Sequence, residues 1–171
     1  QRESVLSAYY NRHFVETFPQ HKQSARRYFL LGESELQLQN WLLAIQAFES
    51  AGYAFEGYEG AAEAAYASIL AYSDYAKTWP VEPKNEHRQK TEQQQASRLR
   101  FVEHHQQDAR AVDVLFIATS YNFAQYQYEL AIKHAQMIID WSKALGTDKT
   151  AKHKVDTKTL LESRVIKAHS L

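Results

Sequence analysis

Apolar residues along this chain recur at helical spacing. Trp41, Ala44, Ile45, Phe48 and Ala51 follow the i, i+3, i+4, i+7 stripe of one buried helix face. Tyr28, Leu31, Gly32 and Leu38 mark a helix just before it, with Gln39-Asn40 as a tight connection. Phe101 and Val102 close a long polar helix that begins near Lys84. Leu115, Ala118 and Thr119 belong to the next helix, and Tyr128, Ala131, Ile132, Ala135 and Ile138 to the one after. The pattern predicts eight helices, near 3–18, 24–38, 41–54, 59–78, 84–106, 109–125, 128–145 and 153–169. Phe18-Pro19, Gly57 with Gly60, the run from Pro80 to Pro83, and Gly146 punctuate them. Connections this short require successive helices to run antiparallel.

The chain also repeats itself. Displaced by 87 residues without a gap, Phe14-Val15-Glu16 falls on Phe101-Val102-Glu103, and Leu43-Ala44-Ile45 on Leu130-Ala131-Ile132. Phe29 meets Phe116, Gln20 meets Gln107, and Trp41 meets Tyr128. Eight of 35 aligned positions are identical, most of them on predicted buried faces, so the repeated object is a structural unit.

That unit resembles the tetratricopeptide repeat, about 34 residues of helix-turn-helix. Its opening signature stands here as Tyr28-x2-Leu31-Gly32-x2-Glu35, with Ala44, Phe48 and Ala51 at the signature positions of the second helix. Leu115, Ala118, Thr119, Tyr128, Ala131 and Ile138 make a second copy, and Phe14, and Ser97 with Phe101, register as the second helices of preceding units. Glu35 and Asn122 depart from the family by replacing a large apolar residue; Thr119 replaces a glycine, and no closing proline stands at Glu56 or Lys143. The run FVETFPQHKQSARRYFLLGES is most similar in style to members in bacterial envelope proteins.

The resemblance implies an all-α fold of antiparallel hairpins stacked in a right-handed superhelix. Hairpin units are expected near 24–54, 59–106 and 109–145, with a terminal helix near 153–169, in one domain over 1–171. It implies binding of a protein or peptide partner in the groove lined by first helices. The residues at groove positions are Arg26, Phe29, Glu33, Leu36 and Gln37 in the first copy and Asp113, Phe116, Ser120 and Phe123 in the second. Phe29, Phe116 and Phe123 would anchor the partner, and Arg26, Glu33 and Asp113 would orient it. Location in the bacterial periplasm or envelope follows from the same likeness, with the cytoplasm as the alternative. The rival is a spacer within a longer solenoid, its groove filled by the chain's own 153–169 helix.

Composition narrows the chemistry. Twenty basic and 20 acidic side chains cancel, which gives no footprint for nucleic acid. No cysteine is present, so thiol nucleophiles, disulfides and thiolate zinc sites are excluded. No run of about 18 apolar residues offers a membrane span. Neither a nucleophile elbow nor a glycine-rich phosphate loop occurs, so no enzyme activity and no cofactor is expected. His104 and His105 in EHHQQD carry a weaker metal-site reading, opposed by the roughly 100° between neighbouring helix positions. Lys143, Lys149, Lys152, Lys154 and Lys158 gather around His153, as a solvated loop or a contact for an acidic partner. A chain that opens on Gln1 is expected to be a piece of a longer protein.

Overall fold

The computed structural model describes residues 2–78, 84–147 and 155–170. Among them are eight helices: α1 (Arg2–Thr17), α2 (Ser24–Gln37), α3 (Trp41–Tyr53), α4 (Ala61–Lys77), α5 (Lys84–His104), α6 (Ala111–Ala124), α7 (Tyr128–Thr147) and α8 (Thr157–His169). The protein is all-α. Each helix lies within a few residues of its predicted place. The largest displacement is at α8, expected from 153: Val155 and Asp156 are not helical, and the Asp156 carboxylate caps the helix by accepting from the Lys158 and Thr159 amides at 2.9 and 3.0 Å. Residues 80–83 and 149–154, with Lys149, Lys152, His153 and Lys154, lie outside the described residues.

The chain forms two compact units, Gln1–Ser97 and Arg98–Leu171, divided within α5. In the first unit α1, α2, α3 and α4 pack in chain order. Ala8, Val15, Leu31 and Ala47 form one core cluster, flanked by Phe14, Tyr28 and Leu38. Ala44, Ile45, Phe48 and Ala71 form another, flanked by Phe29, Leu36 and Tyr72. A Cβ at Gly32 would stand 2.5 Å from the Phe48 ring, so glycine is what lets α2 and α3 close on that ring. α4 and α5 run antiparallel: Gln94 Nε2 donates to Ser73 Oγ at 3.2 Å, and the Lys90 ammonium lies 5.6 Å from the Tyr75 ring. In the second unit α6, α7 and α8 all touch one another. Ala131, Ala135 and Ile166 make its cluster, with Phe116 and Phe123 against them.

The 87-residue repeat is present in the backbone. α2 ends with Gln39 at φ 60° and α6 with Tyr126 at φ 59°. The Asn40 amide donates to the Glu35 carbonyl and the Gln39 amide to Leu36; 87 residues on, Gln127 donates to Asn122 and Tyr126 to Phe123. Both are Schellman motifs with a non-glycine residue in the left-handed position. The entry turns match as well: Phe18 to Phe14, His21 to Phe18 and Ser24 to His21 recur as His105 to Phe101, Asp108 to His105 and Ala111 to Asp108.

Candidate binding surfaces

In the first unit the predicted groove residues divide by chemistry. Phe29 is half-buried, its ring centroid 5.6 Å from that of Phe48, and Leu36 belongs to the same cluster of α2, α3 and α4. Both side chains are therefore engaged in the core, because α4 packs over the face that the family pattern leaves to a ligand. Gln37 turns to α1, where its Oε1 accepts from Ser4 Oγ at 2.6 Å. Arg26 and Glu33 remain exposed, two helical turns apart on one face. Tyr58, in the loop before α4, joins them. Partial burial raises its phenol pKa, Arg26 pulls it down and Glu33 pushes it up, so all three lie within electrostatic reach.

In the second unit Asp113 is exposed and Ser120 half-buried. Phe116 and Phe123 pack against Ala131, Ala135 and Ile166, so α8 covers the two anchors expected there. The groove residues of the two copies thus have different fates. One copy offers a charged strip over a closed core, and the other is roofed by its own terminal helix.

Sequence reasoning missed a cleft of about 250 Å³ between α1 and α3, floored by α2. Val15, Leu31 and Ala47 wall it, Glu16 stands on the rim, and Glu35 lies at its base. The Glu35 side chain is 1% exposed; Arg12 bonds its carboxylate from α1, and Asn40 Nδ2 donates to it at 2.7 Å. The departure of Glu35 from the apolar pattern was the available signal. The second copy solves the same position without charge. Buried Asn122 replaces Glu35, and its side-chain amide lies 3.1 Å from Nδ1 of His134. His134 stands where the first copy has Ala47, so an imidazole occupies the space that Ala47 leaves open.

The rings of His104 and His105 are 6.5 Å apart and tilted by 48°. Asp108 is gripped by Arg110, which donates to its two carboxylate oxygens at 2.8 Å each and holds the acid below its ordinary pKa. Among the described residues no group of three or more histidine or acidic side chains could hold an ion. No described helix is long and apolar enough to cross a membrane.

No family model, no curated protein and no solved structure matches the chain.

Proposed function

We propose that the protein is a tetratricopeptide-like interaction scaffold that binds a protein or peptide partner, without a covalent step, on the α2 face marked by Arg26, Glu33 and Tyr58. The hairpins stack in a right-handed superhelix, and the setting is an envelope complex of the bacterial periplasm, with the cytoplasm as the alternative. One observation carries the reading. The apolar groove residues of the first unit are taken up by its core, while two oppositely charged side chains, each acting on Tyr58, stay at the surface on the same helix. Recognition would then be electrostatic and orienting, with affinity supplied by neighbouring contacts.

A photo-crosslinking residue at Glu33, compared with one at Lys133, tests this in the host cell. A partner captured from position 33 and lost with Arg26→Glu, in a chain of unchanged helicity, supports the surface. Capture indifferent to Arg26→Glu, or equal capture from position 133, rejects it. A specific observation favours the spacer reading for the second unit: Ile166 of α8 sits against Phe116 and Phe123, as that reading requires.

A further inference from the structure

Helix α1 carries two faces of opposite fate. Its inner face is fully employed: Ala8, Asn11 and Val15 are buried, Ser34 Oγ donates to Ser7 Oγ at 2.7 Å, and Arg12 bonds Glu35. Its outer face exposes Val5 (52%), Leu6 (46%), Tyr9 (62%) and Tyr10 (65%), and the Tyr9 ring stacks on His13 at 6.3 Å, 8° from parallel. Nothing in the repeat asks for this. At the matching positions of α5, 87 residues on, Val5, Leu6 and Tyr9 are replaced by Glu92, Gln93 and Ala96, all exposed, and Tyr10 by Ser97, which is buried beside Ser68 of α4. Where the α5 strip carries Glu92 and Gln93, the α1 strip carries Val5 and Leu6.

Arg2, Leu6, Tyr9, His13 and Glu16 are spaced by four, three, four and three residues. This is the 3.5-residue seam along which two helices pair. The seam is apolar at its centre and charged at its ends, basic at Arg2 and acidic at Glu16, both exposed. That arrangement is complementary to itself when reversed. With two α1 helices antiparallel and Tyr9 at the two-fold axis, each Arg2 faces the Glu16 of the other chain.

We infer that α1 is a self-association surface on which a second copy of this chain docks its own α1, antiparallel, in a two-fold dimer. The Arg2 and Glu16 ends set direction and register, and the Leu6 and Tyr9 seam supplies the buried apolar area. This inference is independent of the α2 surface above. None of the seam residues belongs to either of the two first-unit core clusters described above, so substitutions there remove no side chain from them.

The test uses sedimentation of the 171-residue chain over a range of concentrations, with circular dichroism to confirm helicity. A reversible monomer–dimer equilibrium is expected. Arg2→Glu places two acids at each end of the pair and Glu16→Arg two bases, so each variant alone should weaken the dimer by about tenfold. Mixed in equal amounts, the two variants should recover a dimer as tight as the parent, because every end then joins opposite charges. Tyr9→Glu should abolish association. A chain that stays monomeric at its highest soluble concentration overturns the inference. So does a mixture no tighter than its components, or an unsaturable association indifferent to all three substitutions.

Discussion

The first copy, from Phe14 through α3, and the second, from Phe101 through α7, share a backbone and disagree about how to fill it. At one pair of matching positions the first copy has Gly32 beneath Phe48, and the second has Thr119 and Ala135. Large over nothing has become small over medium, and Thr119, fully buried, bonds the Leu115 carbonyl at 2.7 Å. At another contact the first copy buries a carboxylate and reaches for it with Arg12 from the preceding helix; the second buries an amide and meets it with His134 from the following helix. In the first case two residues change together; in the second three do, with Leu99 at the position of Arg12, Asn122 at that of Glu35 and His134 at that of Ala47. The backbone hydrogen bonds fix where the helices turn, and packing then constrains groups of side chains rather than single positions.

The largest effect comes from breaking the first pair. Phe48→Ala should cost the first unit about 3–5 kcal/mol, as removal of a fully buried aromatic does. Gly32→Thr alone should also destabilise, because its Cβ and the Phe48 ring compete for the same space. The double variant rebuilds the second copy's pair inside the first. It should be more stable than the sum of the two losses by at least about 1 kcal/mol. Hydrogen exchange of the α2 and α3 amides reads this unit separately. Strict additivity would show that the two copies are not alternative solutions of one packing problem.

Most of the fold was legible in the sequence because it rests on periodicity and punctuation. The stripe through Ala44, Ile45 and Phe48 and the breaks at Pro19 and Gly57 are local signals, and local signals placed the helices. The site was less legible because it depends on what lies over a helix face. Spacing put Phe29 and Phe116 on one face of each first helix but left open whether a partner or the chain's own helices, here α4 and α8, would lie against those faces. Arg26, Glu33 and Asp113 are exposed, since desolvating a charge is costly. The cleft over Glu35 stayed hidden because it arises from what Ala47 lacks, seen only beside His134.

The second comparison can be sharpened with pH. Burial holds the His134 pKa below its ordinary 6.5, with nearby Lys133 acting in the same direction. The unfolded chain therefore binds this proton before the folded one does. Stability from this group is intact above about pH 7, begins to fall as pH drops through the unfolded value near 6.5, and levels off below the lower folded pKa. The slope is at most about 1.4 kcal/mol per pH unit. Exchange protection of α6 and α7 should decline between neutral and mildly acidic pH, and His134→Gln should flatten that decline. The matching position in the first copy is Ala47, which cannot titrate. An undiminished decline in His134→Gln would assign the acid sensitivity elsewhere.

The smallest expected effect lies at the two left-handed turn residues, where the copies agree most closely in geometry. A side chain at positive φ costs about 1–2 kcal/mol relative to glycine, of which glycine's freedom in the unfolded chain returns about 0.4–1. Gln39→Gly should therefore stabilise the first unit by roughly 0.5–1 kcal/mol. Tyr126→Gly should gain less. Its ring makes an edge contact with Tyr128 at 6.1 Å between centroids, and that contact is lost with the side chain. The order of the two gains, read from exchange protection across each turn, is the informative quantity. Equal gains would mean that the Tyr126–Tyr128 contact contributes nothing to the turn. A loss in Tyr126→Gly alone would mean that the aromatic pair outweighs the backbone strain, and that tyrosine holds this position for its ring.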